Sequence, residues 1–461
     1  MTKKMSNFNS FERPIDLFGH PRGLSFLFMT EMWERFSYYG MRALLVLYMV
    51  KYLLQPEHHH VVGLDALQAL LSPVSGVITS QSFASEVYGL YTGLVYLTPL
   101  LGGWLADHHV GQRRAVIAGA LLMALGHFMM AIESLTLIAL LFLIIGSGAF
   151  KPNISSQVGR LYAHNDRRRV SAYSIFYVGI NIGAFLAPLI CGTLGEELGW
   201  HYGFTAAGVG MLIALGCYLY AQPLLPRDAV TDADDVRQPL TQTERQAVIA
   251  LTAIYIPTTF FWAAFEQQGN TISLWADQYT DRFIDLGIVR GDIPVTWFQA
   301  LNPLFVFTLS PLIISFWSWQ RKRDREPSIM SKMALGCVFV ACSYLIVALA
   351  AWTTQGDKAS VWWILIYFMV ITIGELYLSP IGLSLVSSMA PTRMASTMMG
   401  VWLAASFIGN FGAGWLGALW GSMEKSSFFC LIALIAMIGG LMIFFLKYLI
   451  RNLVDYDNIC T

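Results

Sequence analysis

Glu31, Glu34, Arg35 and Arg42 stand in one short run, Glu31-Met32-Trp33-Glu34-Arg35-Phe36-Ser37-Tyr38-Tyr39-Gly40-Met41-Arg42, inside a stretch otherwise fit to cross a bilayer. Residues three and four apart share a helical face, so Glu31, Glu34 or Arg35, Tyr38 and Arg42 form one polar stripe. By insertion scales each charge near the middle of a membrane helix costs roughly 2.5 to 3.5 kcal/mol. Such residues therefore face a watery cavity or a partner and mark a transport path. The other ionisable groups read within apolar segments are Lys151 (Gly148-Ala149-Phe150-Lys151-Pro152-Asn153), Glu266 (Phe265-Glu266-Gln267) and Glu375 (Gly374-Glu375-Leu376). The bases lie in the first half of the chain and two acids in the second.

That division fits a zwitterion laid between the halves, its carboxylate toward Arg35 and Lys151 and its ammonium toward Glu375. A dipeptide or tripeptide, at roughly 3.3 to 3.6 Å per residue, spans about 7 to 11 Å, comparable to the 8 to 10 Å between facing helix axes. The competing explanation is that the charges only pair with one another to hold helices together. Seven buried charges cost roughly 20 kcal/mol on the same scale, and apolar packing could join helices without them.

The elements that must carry these residues are membrane helices. In 461 residues, 56% are hydrophobic and only 13% charged, which describes a polytopic membrane protein, and the zero net charge argues against a nucleic-acid partner. Twelve spans are expected: 24–53, 84–106, 114–132, 135–156, 168–195 and 201–222, then 246–276, 294–320, 329–353, 360–389, 395–420 and 426–450. This gives a tail (1–23), a six-helix bundle (24–222), a polar, proline-bearing linker (223–245), a second six-helix bundle (246–450) and a short tail (451–461). With the N-terminus inside, the inner loops hold 21 of the 29 Lys and Arg and the outer loops five, Lys51, Arg282, Arg290, Lys358 and Lys425. Both termini and the linker are therefore expected in the cytoplasm. Pro152 and Pro380 recur at an offset near 228, as do Asn181-Ile182-Gly183-Ala184-Phe185 and Gly409-Asn410-Phe411-Gly412-Ala413. Two parallel six-helix halves resemble the architecture of the major facilitator superfamily, an all-α membrane fold in which one half rocks against the other around a midplane site. The run from Gly102-Gly103-Trp104 through Asp107 and Gly111 to Arg114 resembles that superfamily's loop motif.

A narrower resemblance is carried by Glu31-x-x-Glu34-Arg35-Phe36-x-Tyr38-Tyr39-Gly40 and Phe176-Tyr177-x-x-Ile180-Asn181-x-Gly183. Together with Lys151-Pro152-Asn153, Phe265-Glu266-Gln267 and Glu375 ahead of Ser379-Pro380-x-Gly382, they resemble the proton-dependent oligopeptide transporters from about residue 12 to 450. The resemblance implies that Glu31, Glu34, Arg35 and Lys151 couple a proton to the peptide carboxylate and that Glu375 receives the amine. It implies further that Asn181 and Asn302 hold peptide backbone and termini, that Tyr39 and Tyr96 add hydroxyls, that Trp402 is a pocket aromatic, and that Arg42 and Glu266 form an ion pair at the outer gate. There are departures. The short linker leaves no room for the two extra helices of many bacterial relatives, and Gly89 stands where animal members carry a histidine in span 2.

The expected activity is proton-coupled symport of di- and tripeptides by a monomer in a bacterial inner membrane, with protons as the coupling ion and no cofactor or metal. Glu31, Glu34 and Glu266 are the candidate proton carriers. Rival readings are a carrier for another organic solute or an anion, which Glu375 would repel, and a membrane-embedded transferase, which would need a nucleophile and base or a metal set that the spans lack. A channel fits poorly with two moving halves. Lesser signals read as structural: His58-His59-His60 as a solvated outer loop, Asn153-Ile154-Ser155 as an incidental glycosylation match inside a span, Gly409, Gly412, Gly414 and Gly417 as close helix packing, Arg167-Arg168-Arg169 as an inner-face anchor, and six unpaired cysteines.

Overall fold

The computed structural model describes residues 19–58, 61–75, 79–163, 166, 168–226, 241–285, 290–391 and 394–453. Most of the linker, the two tails, His59, His60, Arg167 and Cys460 lie outside the described residues, and with them those parts of the sequence reading. Fourteen helices follow in order: α1 (Arg22–Tyr48), α2 (Leu64–Ser75), α3 (Ser80–Leu105), α4 (Gln112–Met129), α5 (Thr136–Arg160), α6 (Arg168–Ala187), α7 (Trp200–Ala221), α8 (Gln242–Phe265), α9 (Thr271–Tyr279), α10 (Leu301–Arg321), α11 (Ile329–Thr354), α12 (Trp362–Met389), α13 (Ala395–Ala418) and α14 (Lys425–Leu453). All but α2 fall on the expected spans, α8 and α9 sharing the seventh. Among the described residues, eight helical segments are long and apolar enough to cross a bilayer by composition alone.

Three features depart from the expected spans. Helix α2 is too short to cross, and Leu64 and Leu71, a multiple of the helical repeat apart, turn its apolar side inward while Asp65 is exposed. The seventh span is broken: α8 ends at Phe265, Glu266–Gly269 tightens into a 3₁₀ turn, and α9 resumes at Thr271. Buried Gln267 and Asn270 both donate to the Ala413 carbonyl, which offers the break polar partners inside apolar surroundings. The eighth span likewise opens with a 3₁₀ turn, Val295–Ala300, before α10.

Helices α1 to α7 pack among themselves, α1 on α6 and α7, α5 on α3 and α4; helices α8 to α14 do the same, α11 on α12 and α14, α13 on α8. The halves meet where α3 lies on α13 and α6 on α10. A Cβ at Gly89 would sit 2.6 Å from both N and Cα of Gly414, so this contact is backbone on backbone and excludes any larger residue there, histidine included. Gly409 and Gly417 come similarly close to Trp262 and Asn270, the packing role expected of Gly409, Gly414 and Gly417, whereas at Gly412 a Cβ would meet Ala263 at an ordinary 3.5 Å. Cys191, Cys217, Cys337, Cys342 and Cys430 are free thiols.

The two ends of the molecule differ. At the distal end, away from the start of α1 and the finish of α14, the halves are laced together. Arg42 pairs with Glu266 at 2.5 Å, Lys51 with Asp277 at 2.6 Å, Ser85 donates to Asn270 at 2.8 Å, and Gln81 donates to the Gly417 carbonyl at 2.9 Å. Among the described residues, every side-chain hydrogen bond or ion pair between halves lies toward this end. Toward the terminal end Tyr177 of α6 is 51% exposed, and only 17% of an apolar 18-residue stretch within Val295–Arg321 is buried.

The turn joining α10 to α11 carries an ion-pair cluster in which Glu326 accepts from Arg321 at 2.6 Å and from Lys332 at 2.6 Å. The Arg321 guanidinium, then the Lys332 ammonium, hold the Glu326 carboxyl down at about 2, below its ordinary 4.5. Its folded-state value is depressed, so its contribution to stability is complete above about pH 4.5 and is lost as pH falls toward 2. Arg321 is exposed, which keeps the contribution below about 1 kcal/mol. The unfolding midpoint of the protein and that of Glu326→Gln should therefore converge between pH 5 and 2; a constant gap would disprove the pairing.

Candidate functional site

The polar stripe of α1 folds onto itself and onto α5. Arg35 forks onto Glu34, with Nε to Oε2 at 2.5 Å and Nη2 to Oε1 at 2.7 Å, and its Nε is 3.2 Å from Glu31 Oε1, all three side chains being buried. Both Glu34 oxygens are thus occupied. Glu31 Oε2 and the Tyr38 hydroxyl, in contrast, are buried without a hydrogen-bond partner among the described residues, an unusual state for buried polar atoms. Lys151, held by α5 just before Pro152, sets its ammonium 4.3 Å from the Tyr96 ring centroid and 5.8 Å from that of Tyr38. It has no ion-pair partner among the described residues. Of the expected pair of cations, Arg35 is therefore saturated by two carboxylates and Lys151 is available.

The opposite pole lies on α12. Glu375 Oε2 accepts from Asn302 Nδ2 at 2.8 Å, and the same amide contacts Thr372 Oγ1 at 3.1 Å, so α10 orients the carboxylate. Tyr39 lies within electrostatic reach of Arg35, Arg42, Glu375 and Glu266, and Tyr177 within reach of Glu375 and Tyr39. The cationic group on α1 and the acid on α12 therefore border one region, with tyrosines between them.

Above this region Arg42, Glu266 and Tyr88 close the distal end. Arg42 Nε donates to the Tyr88 hydroxyl at 2.8 Å while its Nη2 holds Glu266, both ionic side chains being under 10% exposed. Gly269 is required here, because a Cβ would lie 2.1 Å from the Tyr88 hydroxyl. Two other predicted residues sit differently. Asn181 turns its amide back to the Tyr177 carbonyl at 3.0 Å, and Trp402, 3% exposed, packs edge-on against Tyr255 and over Gly382.

Sequence reading missed Tyr88 and the amide network of the span 7 break. The signal was present: Glu266-Gln267-Gln268-Gly269-Asn270 puts four polar residues and a glycine inside an apolar span, which forecasts an interrupted helix lining a cavity or buried in protein. It also passed over Glu86, a buried carboxylate on α3, and His127, buried on α4. Asn153 is buried and donates to the Ala149 carbonyl, as a helix-interior residue would. Among the described residues no group of three His, Cys, Asp or Glu could hold a metal ion.

The class follows from architecture and site together: the chain belongs to the Major Facilitator Superfamily, whose profile matches residues 35–414. It is similar to a peptide transporter of Yersinia enterocolitica, 34% identical over 87% of this chain and 88% of the relative, and to a di-/tripeptide transporter of Lactococcus lactis subsp. cremoris, 32% identical over 96% and 98%. Among solved structures, a peptide transporter POT in complex with sulfate superposes with TM-score 0.81 at 29% identity, covering 95% of this chain and 97% of that one. A POT family transporter in complex with 5-aminolevulinic acid does so with TM-score 0.82 at 27% identity, covering 95% and 98%. Within the superfamily the chain is a POT family transporter, and it is not an enzyme.

Proposed function

We propose that this transporter imports di- and tripeptides together with protons, by alternating access across a bacterial inner membrane, with both termini and the linker in the cytoplasm. What supports this reading is a pair of opposite poles, Lys151 in the first half, without an ion-pair partner among the described residues, and Glu375 in the second, both within electrostatic reach of Glu266 in the closed distal gate. Inorganic anions fit poorly beside Glu375. The orientation makes the distal end the outer one, so the described conformation is closed outside.

In this mechanism the peptide carboxylate meets Lys151, with Arg35 behind it, and the ammonium meets Glu375; side chains of the peptide are left to the tyrosines. A site reading only the shared termini accepts many sequences. Asn302 positions Glu375, and Tyr39 and Tyr96 line the same space. Glu266, once protonated from outside, releases Arg42 and opens the outer gate. Glu31, whose second oxygen lacks a partner, is the acid best placed to carry the proton near the peptide, because Glu34 is fully engaged by Arg35. Asn181 and Trp402 join the site only if their present hydrogen bond and packing give way.

A zwitterion without a peptide bond would satisfy the same poles, and a solved relative is recorded with 5-aminolevulinic acid. Uptake of a labelled dipeptide into proteoliposomes tests the main reading. Accumulation driven by an imposed inward proton gradient and abolished by a protonophore supports it; no uptake, or uptake indifferent to the gradient, refutes it.

A further inference from the structure

We infer that Glu196 is a positioning residue for the outer gate, acting as a second latch, separate from the contact of α3 with α13, that ties the end of α6 to the eighth span. The inference rests on the alternating-access reading above.

Helix α6 does not stop at Ala187 but continues through two wider-wound turns, Pro188–Gly192 and Leu194–Leu198, which carry its end up to the start of the eighth span. There the Glu196 carboxylate accepts three hydrogen bonds from the other half: from Val295 N at 2.9 Å, Thr296 N at 2.8 Å and the Thr296 hydroxyl at 2.6 Å. An anion on the free N–H groups of a first helical turn is a strong, charge-assisted arrangement. The neighbouring contacts fit around it. The Trp297 indole N–H donates to Thr193 Oγ1 at 2.8 Å, and Gly192 approaches Thr296 so closely that a Cβ would lie 2.0 Å from its hydroxyl oxygen.

Two features make this a gate and not simply glue. Among the described residues the hydrogen bonds between α6 and the eighth span lie only at the outer end: further inward α6 meets α10 without them, and Tyr173, Tyr177 and Val178 of α6 are exposed, as are Leu304, Phe307 and Leu312 of α10. The two elements are thus held by polar ties at one end alone, and these ties must release when the molecule opens outward. Two of the three donors are backbone amides, so the strength of the latch is set mainly by position 196, with the Thr296 hydroxyl adding the third bond. The pinned turn also runs directly into α10, where Asn302, six residues after Thr296 and so about 11 Å along the axis, holds Glu375. Releasing Glu196 therefore frees the element that orients the amine pole, and couples the outer gate to the binding region independently of Arg42 and Glu266.

The test is pulsed dipolar spectroscopy between spin labels at Leu198 and Arg290, both exposed, with Cys342 and Cys430 replaced. Glu196→Gln keeps the shape but removes the charge and turns an N–H₂ toward the donors. It should raise the outward-open fraction on the order of tenfold, seen as a longer-distance population. The KM for externally supplied peptide should fall in step, since apparent affinity scales with the competent fraction. Thr296→Ala, which removes one donor and leaves both amides, should give a smaller widening of the same sign. Unchanged distances in Glu196→Gln overturn the inference; if that variant does not fold, unchanged distances in Thr296→Ala do so. Failure of peptide uptake by the unsubstituted protein counts against the proposed function and leaves the distance result standing, so the two can fail separately.

Discussion

Proteoliposomes carrying Glu266→Gln should exchange labelled dipeptide across the membrane and yet fail to concentrate it when a proton gradient is imposed. The unsubstituted protein has energy for concentration. One charge moved through 100 mV yields about 2.3 kcal/mol and one pH unit about 1.4 kcal/mol, against about 1.4 kcal/mol per tenfold peptide gradient, so one proton sustains several hundredfold. In the variant that ratio should fall to near unity. The reason lies in the gate: Glu266 is buried 2.5 Å from Arg42, and the buried pair can part cheaply only when the carboxyl is neutral, because separating two buried ions leaves each uncompensated. A permanent amide removes the requirement for a proton and with it the link between proton entry and gate opening. Tyr88 still accepts from Arg42, so the gate retains a partner and peptide exchange persists. Full accumulation by Glu266→Gln would end the assignment of Glu266 as a proton carrier.

Lys151→Ala should reduce uptake of neutral dipeptides by two orders of magnitude or more and erase the preference for a free peptide carboxylate. Losing one partner of a buried charge pair costs about 2 to 5 kcal/mol, or roughly thirtyfold to several thousandfold. Lys151 carries that cost because Arg35 is already forked onto Glu34 and touches Glu31, while the Lys151 ammonium, without an ion-pair partner among the described residues, rests on the rings of Tyr96 and Tyr38. The decisive measurement is competition by a dipeptide against its C-terminally amidated form. The unsubstituted protein should favour the free acid strongly, and the variant should treat the two alike. A variant that still discriminates would move the carboxylate site to Arg35 or elsewhere.

Much of this protein was determined by its sequence alone. Hydrophobic runs near the bilayer thickness, separated by polar turns, settle the long helices because the backbone in lipid must satisfy its own hydrogen bonds, leaving helix as the cheap solution. Charges inside such runs are expensive enough to be visible as anomalies, which is why Glu31, Glu34, Arg35, Lys151, Glu266 and Glu375 could be picked out by number. Only the tertiary structure decided how those charges are shared. Which cation is free depends on side-chain directions set by packing: Arg35 is spent on two acids of its own helix, while Lys151 on α5 stands off from all of them. The break after Phe265, the Tyr88 support of Arg42 and the clasp of Glu196 on Val295 and Thr296 join residues 46 to 146 positions apart. No local period encodes them, because each is fixed by the approach of two surfaces whose meeting depends on the whole fold.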